Sequence, residues 1–405
     1  MSNSDFTPSV RFMVVSDVHI KDEPSVERER FDNALKTAYR IAESSDTYKN
    51  LDAVAIVGDF ANSGTEIQMN TVKKILDENL DYNKTKLIIS VASHEYHSEG
   101  VEAAYEKLKR IFGSDPDVHE VINGFHFVSV SPSHSCNFDD NKIAWVSSEL
   151  EKAAEADRKK PIFMFQHPHN TGTVYGSILW GEDELITTYM NYPQIIHFSG
   201  HSHAPINDPR SIHQQHFTSL GTGTLSYFEL DEFDKLPDKV PDNSEKAAQM
   251  LIVEADDRNR VRIYPYDLIT GNYFPIVHKI DVPSEPSTFT YTNARYRDAV
   301  NPYFDENAKI SAEIGEASVK IEFDQAKIDK EYVNSYDIII REDSTGSIVK
   351  QLSIWSEYYF YDMPATRSVT VKGLKKGTEY TAQVIANSFW STSSENSLTL
   401  KFKTA

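Results

Sequence analysis

Short apolar runs that alternate with amphipathic stretches constrain how the first 230 residues of this 405-residue chain can fold. Two of the amphipathic stretches, 28–44 and 141–160, have the apolar spacing of helices. The apolar runs predict buried strands, and they are RFMVVS (11–16), DAVAIV (52–57), KLIISV (86–91), FHFVSV (125–130), PIFMFQ (161–166) and QIIHFS (194–199). We therefore expect an α/β domain in which helices cover both faces of a buried sheet.

The pattern changes twice further along the chain. From about residue 215 it becomes all-β, and the runs at 250–256 and 260–268 could add a second sheet. Residues 281–307 are rich in Pro, Ser and Thr and are typical of a connection. From about residue 308 short alternating strands follow without a helical pattern. The sequence thus predicts two domains, at 8–300 and 308–405.

Charge limits the partners that this chain can bind. Sixty-one acidic residues against 41 basic ones give a formal net charge of −20, which is first of all typical of a soluble protein. A surface that coats a nucleic-acid polymer needs basic stripes, so we expect no such partner. A small phosphate ester is not excluded, because bound cations reverse the local field of a site.

The single cysteine and the N-terminal residues bear on the cellular compartment. Cys136 has no second cysteine to pair with, which excludes an intramolecular disulfide and a Cys-based zinc cluster. The start of the chain lacks the apolar core of a signal peptide, and no run reaches the roughly 18 apolar residues of a membrane span. We expect no membrane span and favour the cytoplasm. A secreted chain whose signal has been removed is the alternative.

Acidic and histidine side chains follow almost every predicted strand at its carboxyl end. In an α/β sheet these ends converge on one crevice, so residues distant in sequence can meet there. Carboxylate and imidazole ligands suit Mn, Fe, Zn or similar divalent ions. Each motif alone is more often a turn, but their order predicts a metal site. The motifs are SDVHI (Asp17, His19), VGDFAN (Asp59, Asn62), VASHEYH (His94), FQHPHN (His167, His169) and SGHSHA (His201, His203).

This order, D-x-H … G-D … H-E … H … G-H-x-H, resembles the signature of the calcineurin-like metallophosphoesterase superfamily over about residues 10–230. The resemblance implies a four-layer fold, in which two β-sheets form a sandwich flanked by helices. It also implies two divalent metal ions, which activate a hydroxide for attack on a phosphate ester.

The resemblance also implies roles for individual residues. Glu95 could orient His94, the implied general acid, and Asn62 matches a common polar position after the Gly-Asp pair, where it is not itself expected to bind a metal. His169 competes with His167 as a ligand, and we prefer His167 because it lies at the strand end. The implied metal ligands are Asp17, His19 and His203 for the first ion, Asp59 for both ions, and Ser93, His167 and His201 for the second.

One position departs from the family pattern. Where the family has Gly-Asn before the histidine, this chain has Ala92 and Ser93, and a neutral hydroxyl is a weaker and shorter ligand than an amide oxygen. Ala92 in place of glycine also disfavours a positive φ. The second metal site could be weakened but occupied, rescued by a nearby Asp, Glu or His97, or lost together with activity. We favour the first of these.

The loop from Thr171 to Thr187 carries two aromatic residues between the last metal-ligand motifs. Tyr175 and Trp180 could stack on a nucleobase or line an apolar pocket for the leaving group. Core packing beneath a long loop is an equally consistent interpretation. We include both residues, with Asn62, as candidate substrate contacts.

The C-terminal region resembles a second family. LKKGTEYTAQVIA (374–386) is similar to the later strands of a fibronectin type III domain, with Tyr380 at the position of the corner tyrosine. Another β-sandwich with a chance L-x-x-G-T-x-Y motif is the alternative. Either interpretation makes this region non-catalytic, with a possible contact to a protein or a carbohydrate.

Together these features predict a metallophosphoesterase, either a phosphodiesterase or a phosphatase. A phosphodiester or a nucleotide-like small substrate is favoured, because a histidine acid suits an alkoxide leaving group. The alternative is a metal-binding or sensor protein with weakened or absent catalysis, whose β-sandwich binds a partner.

Overall fold

A computed structural model of the chain describes residues 6–233 and 240–405. The chain separates into two compact units, one up to Thr292 and one from Asn293 to Ala405. Among the helices within these described ranges, none combines the length and the apolarity needed to cross a bilayer.

The first unit alternates strands and helices along most of its length. Its α-helices are α1 (Val26–Ser44), α2 (Glu66–Asn79), α3 (Ser93–Tyr96), α4 (Val101–Lys107), α5 (Asp140–Ala156), α6 (Ser177–Trp180) and α7 (Ile186–Tyr189). Its strands are β1 (Pro8–Val15), β2 (Ala53–Val57), β3 (Lys86–Ser90), β4 (Asp117–Ile122), β5 (Phe125–Val130), β6 (Ile162–Phe165), β7 (His169–Asn170), β8 (Gly181–Glu182), β9 (Ile195–Ser199), β10 (Ile212–Gln214), β11 (Thr218–Gly221), β12 (Gln249–Asp256), β13 (Val261–Asp267), β14 (Asn272–Tyr273) and β15 (His278–Ile280).

These strands form two mixed sheets. The first has the order β14-β13-β12-β1-β2-β3, with β15 also paired to β13, and the second has the order β10-β11-β9-β6-β5-β4. In the first sheet β1, β2 and β3 are parallel, while β12 is antiparallel to β1. In the second, β5, β6, β9 and β11 are parallel. The carboxyl ends of the parallel strands in each sheet therefore lie along one edge.

The two sheets pack face to face through phenylalanines. The ring centroid of Phe12 on β1 lies 4.7–6.2 Å from those of Phe127, Phe163, Phe165 and Phe198, all on the second sheet. Edge-to-face contacts at such distances are favourable arrangements for aromatic pairs.

Helices cover the outer face of each sheet. Phe31 and Leu35 of α1 and Met69 of α2 belong to one apolar cluster with Ile56 of β2. Residues of α5 and α7 share another cluster with β5, β6 and β9. The result is the expected four-layer double sandwich flanked by helices, which is confirmed.

Two expectations about the sheets are wrong. No single sheet carries helices on both faces in the described residues, because the inner face of each sheet packs against the other sheet. The strands at 249–256 and 261–267 do not start a second sheet but extend the first, through pairing of β12 with β1. A strand buried between a sheet and helices is as continuously apolar as one between two helical layers, so the pattern does not separate these cases.

The second unit contains one short helix, α8 (Ala294–Arg297), and strands that are all antiparallel. The strands are β16 (Ile310–Ile314), β17 (Ser318–Asp324), β18 (Ser335–Glu342), β19 (Ile348–Trp355), β20 (Thr366–Lys372), β21 (Glu379–Asn387) and β22 (Leu398–Lys403). They form sheets of order β16-β17-β20 and β19-β18-β21-β22 around one apolar core, as expected for an all-β sandwich.

The predicted corner tyrosine lies in this core. Tyr380 is 1% exposed, and its hydroxyl accepts a hydrogen bond from the Lys375 backbone N–H at 3.0 Å. A tyrosine that bonds the backbone a few residues upstream is typical of immunoglobulin-like sandwiches. The assignment to fibronectin type III stays a prediction.

Candidate metal centre

The loops that follow β1, β2, β3, β6 and β9 meet at one edge of the double sandwich. There they gather carboxylate and imidazole groups from distant parts of the chain. In the part of the chain that the structure describes, three groups have ligand atoms within 4.8 Å of one another: the first is Asp17, His19 and His203, the second is Asp59, His167 and His201, and the third, which overlaps both, is His19, Asp59 and His94. Their overlap joins all seven residues into one cluster.

The backbone at this cluster is strained. Non-glycine residues seldom adopt a positive φ, and such conformations concentrate at functional sites. Gly58 also has a positive φ, and a Cβ added there would lie 2.7 Å from both the Ala92 Cβ and the His167 Nδ1. The non-glycine residues of the cluster with a positive φ are Asp17 (51°), His19 (54°), Asp59 (50°), His201 (70°) and His203 (52°).

Atoms with lone pairs face each other in the first group. A carbonyl oxygen can only accept, so the 2.9 Å contact of His203 Nδ1 with the Tyr227 oxygen makes Nδ1 the donor. In its neutral form the ring directs the Nε2 lone pair at His19 Nε2, 3.1 Å away, and at Asp17 Oδ1, 3.2 Å away. Either protons or a cation must separate these atoms.

The second group repeats the arrangement. His167 Nδ1 donates to the Val57 carbonyl oxygen at 2.7 Å, and its Nε2 lies 2.8 Å from Asp59 Oδ2. The His201 ring centroid is 5.0 Å from that of His167. Because His167 and Asp59 are both buried, water does not screen this contact. Imidazoles held through their second nitrogen are typical metal ligands, so the residues fit a pair of divalent ions.

The pKa values distinguish the rings of the cluster that stay neutral from the one that favours a proton. Burial lowers the pKa of His19 to about 3 and that of His201 to about 4, which leaves both rings neutral and able to bind a metal. Burial also acts to lower the pKa of His167, but the Asp59 and Asp17 carboxylates outweigh it and raise that pKa to about 10. Without a metal, the two carboxylates therefore favour a protonated His167, although its Nε2 is not aligned for a hydrogen bond with Asp59.

His94 is positioned by the loop that carries Asp59. Its Nδ1 donates to the Asn62 carbonyl oxygen at 2.8 Å, and its backbone N–H donates to Asp59 Oδ1 at 2.9 Å. The His94 and His19 ring centroids are 4.4 Å apart. Nδ1 is thus engaged by the protein, and Nε2 is the ring nitrogen available for a substrate.

Glu95 has a different role from the one expected. Its carboxylate accepts hydrogen bonds from the backbone N–H groups of Asp59 (3.0 Å), Ala61 (2.7 Å) and Ala92 (2.8 Å). Asn62, not Glu95, orients the His94 ring. Burial and the Asp59 charge raise the pKa of Glu95 to about 8, against the effect of the amide donors. Glu95 is therefore a positioning residue that holds the two loops together.

We expect Glu95→Gln to destabilise the first unit. One carboxylate oxygen becomes an NH₂ group, which cannot accept from the backbone and leaves one or two buried N–H groups unpaired. The loss should be about 1–3 kcal/mol in the free energy of unfolding, measured by calorimetry. Glu43→Gln, at an exposed position of α1, is the matched control and should change little. Equal stabilities of the two variants would contradict this role.

Ser93 and Ala92 lie beside the second group. The Ser93 hydroxyl donates to Asp59 Oδ2 at 3.3 Å. Ala92 has an extended backbone, with φ of −147°, so the expected cost of replacing glycine does not arise. The local departure from the family pattern therefore concerns the side chain of Ser93 and not the backbone.

The two other histidines near the site lie outside the three groups. Both ring nitrogens of His169 lie 2.7 Å from hydroxyls, Nδ1 from Ser199 and Nε2 from Ser202. This engagement supports His167 as the ligand. The exposed His97 ring lies 4.6 Å from that of His94.

The candidate substrate contacts lie at different distances from the cluster. Trp180 is adjacent to it, since its ring centroid is 5.0 Å from that of His201 in an edge-on arrangement. Tyr175 packs against the Arg210 guanidinium, 3.8 Å from the ring centroid, and its hydroxyl accepts from the Asp231 backbone N–H at 2.9 Å. Tyr175 thus supports the loop, while Asn62 acts through its backbone oxygen.

Two residues at the site were missed by sequence reasoning. The Sγ atom of Cys136 lies 3.2 Å from His201 Nε2, and the Tyr227 ring centroid lies 4.4 Å from that of His203. Both residues are in loops that follow strands, β5 and β11. The rule that located the histidines therefore also applied to these positions, but neither belongs to a recognised motif.

Comparison with known proteins agrees with this geometry. Residues 10–205 match the family model described as Calcineurin-like phosphoesterase. No curated protein matches the chain. The matched residues lie within the first unit and include the Asp and His cluster described above.

Several solved structures are similar to parts of the chain. Purple acid phosphatase PPD1 from yellow lupin (Lupinus luteus) seeds is 12% identical, with a TM-score of 0.46, over 68% of this chain and 55% of that protein. A computer-redesigned β-sandwich protein is 13% identical, with a TM-score of 0.20, over 26% of this chain and 95% of the other. The sensor domain of the anti-sigma factor RsgI4 from Pseudobacteroides cellulosolvens is 25% identical, with a TM-score of 0.18, over 24% and 74%. The chain spans little more than half of the phosphatase.

Proposed function

We propose that this protein is a metal-dependent hydrolase of phosphate esters that acts on a phosphodiester or a nucleotide-like small molecule. The main support is a set of close contacts between buried side chains. The Nε2 atoms of His167 and His203 lie 2.8–3.9 Å from carboxylate oxygens of Asp17 and Asp59. Only positive charge stabilises such an arrangement, and a phosphoesterase domain needs that charge for its reaction.

The donor set divides between two ions. We assign Asp17, His19 and His203 to the first, His167 and His201 to the second, and Asp59 to both, since it belongs to groups on both sides. Mn, Fe, Zn or similar ions suit these ligands. When bound, two such ions supply charge stabilisation of the phosphoryl group and hydroxide near neutral pH.

His94 provides the acid in this proposal. As an imidazolium, His94 gives its Nε2 proton to the leaving alkoxide oxygen. Its Nδ1 keeps its own proton, which stays hydrogen-bonded to the Asn62 carbonyl oxygen. That hydrogen bond fixes which nitrogen faces the substrate. Asp59 accepts from the His94 backbone N–H, so the acid and the metal ligands belong to one rigid unit.

Charge and the neighbouring aromatic residue support a small substrate. A net charge of −20 does not favour docking of an anionic polymer. Trp180 beside His201 offers an aromatic face on which a nucleobase or another apolar leaving group can stack. We assign residues 8–300 to this catalytic domain and 308–405 to a fibronectin type III-like module that contacts a protein or a carbohydrate.

Hydrolysis of two chromogenic esters tests the proposal. With added Mn²⁺, we expect turnover of bis-p-nitrophenyl phosphate, at a higher kcat/KM than that of p-nitrophenyl phosphate. Protein treated with a chelator is the control and should be inactive until metal is restored. Bound metal without turnover of either ester would instead favour a sensor protein with lost catalysis.

A further inference from the structure

Cys136 is held beside the second group of ligands by a rigid turn between β5 and α5. The Asn137 backbone N–H donates to the His134 oxygen at 2.8 Å, and Ser135 has a φ of 48° at the first central position. The Asn137 side chain donates to Glu184 Oε1 at 2.7 Å. Hydrogen bonds from both the backbone and the side chain of Asn137 therefore hold the turn, and they give the thiol a defined position.

The thiol faces the atoms of the second group. Its Sγ lies 3.2 Å from His201 Nε2, and the Ser93 hydroxyl lies within hydrogen-bonding reach of it. Burial and the Asp59 carboxylate raise the pKa of the thiol to about 12, so the sulfur keeps its proton until a metal binds. Cys136 thus stands next to the residue that replaces the expected amide ligand.

A second observation shows that this place requires a cation. His167 Nε2 and Asp17 Oδ1 are completely buried and have no hydrogen-bond partner of acceptable geometry. The two atoms are 3.9 Å apart, and His167 Nε2 also lies 2.8 Å from Asp59 Oδ2. A buried polar atom without a partner is costly, and a bound metal removes that cost for several atoms together.

The sulfur–nitrogen distance fits two ligands on one ion. With metal–sulfur and metal–nitrogen bonds of about 2.3 and 2.0–2.1 Å, two ligands lie about 3.1 Å apart at a right angle and about 3.6 Å apart at a tetrahedral angle. The distance from Cys136 Sγ to His201 Nε2 is 3.2 Å, which lies between these values.

We propose that Cys136 binds the second metal ion as a thiolate and compensates for the weak ligand at Ser93. The proposal rests on the two-metal site proposed above. On binding, the S–H bond breaks heterolytically, the sulfur keeps the electron pair and coordinates the metal, and the proton passes to water. The ion then has Cys136, His167, His201 and Asp59 as ligands.

A thiolate changes the metal preference of the site. Soft sulfur ligands favour Zn²⁺ and related ions over Mn²⁺, whereas carboxylate and imidazole ligands accept either. The second site should therefore prefer Zn²⁺ or Co²⁺, while the first, with Asp17, His19 and His203, lacks sulfur. The two sites of one cluster would thus differ in selectivity.

Cobalt binding to the full chain tests the proposal. Thiolate coordination to Co²⁺ produces a charge-transfer absorption in the near ultraviolet, which oxygen and nitrogen ligands do not. We expect the wild-type protein to bind two Co²⁺ ions and to show this band. Cys136→Ser should lose the band and bind one of the ions about 10-fold or more weakly. His134→Gln, in the same turn, is the matched control and should keep both.

Two further measurements separate the outcomes. Cys136→Ser combined with Ser93→Asn should regain the second ion without the band. Alkylation of the wild-type thiol by iodoacetamide should be slowed by Zn²⁺, which gives a readout if Cys136→Ser does not fold. Two bound ions with no band and no protection would overturn the role of Cys136 and leave the phosphoesterase proposal intact. Absence of metal binding by the wild-type protein would overturn both.

Discussion

Asp59→Asn is expected to reduce phosphate-ester hydrolysis by at least about a thousandfold and to lower the bound metal from two ions per chain to one or none. Asp59 is the member that the groups around His94 and around His167 share. A carboxylate supplies two anionic oxygens to adjacent cations. An amide supplies one neutral oxygen, and its NH₂ group repels a cation.

The contacts of Asp59 make the effect of this change specific. Oδ2 lies 2.8 Å from His167 Nε2, and Oδ1 accepts from the His94 backbone N–H at 2.9 Å. Whichever way the asparagine amide turns, its NH₂ group meets either that N–H or a ligand position. The change therefore removes charge and disturbs the position of the acid, without altering side-chain volume.

Metal analysis and steady-state kinetics check this prediction together. Asp256→Asn is a matched control, because Asp256 is also buried and bonded, to Arg260, but lies at the opposite end of the sheet, where β12 pairs with the start of β1. It should keep both ions and its activity. An Asp59→Asn protein with two ions and normal turnover would disprove the assignment of Asp59 as the bridge.

Much of the site could be predicted from the chain because strand ends are easy to recognise. Asp17 and Asp59 each follow an apolar run directly, and parallel strands bring such positions to a common edge. The left-handed backbone of the ligands was not predictable, since aspartate and histidine rarely adopt it without tertiary constraint. By sequence His167 is preferred to His169 only because it lies at the strand end, and the serine hydroxyls that engage both ring nitrogens of His169 support that preference.

Three features depended on long-range packing that local patterns do not encode. The two-sheet arrangement follows from Phe12 meeting phenylalanines more than 100 residues away, as Phe127 shows. Glu95 bonds the backbone of Asp59 across 36 positions, and Cys136 reaches His201 across 65. A backbone amide or a lone thiol leaves no motif, so neither contact has a local sequence signal.

His94→Gln is expected to lower kcat by about 10²–10⁴ for esters with alkyl leaving groups, and by much less for p-nitrophenyl esters. The reason is the basicity of the leaving oxygen. A p-nitrophenolate departs as an anion without assistance, whereas an alkoxide needs the proton that His94 supplies. Rates for paired substrates that differ only in the leaving group measure this dependence directly.

The metal content of His94→Gln shows whether His94 acts as the general acid or as a metal ligand, since the geometry allows both roles. It belongs to a group with His19 and Asp59 that could hold an ion, yet its Nδ1 and backbone N–H are both used in positioning. If His94 is only the acid, the His94→Gln variant keeps both ions. If His94 is a metal ligand, the variant loses one ion, and hydrolysis of both kinds of ester slows by the same factor. His97→Gln, at the exposed neighbouring ring, is the control and should alter neither metal content nor leaving-group dependence.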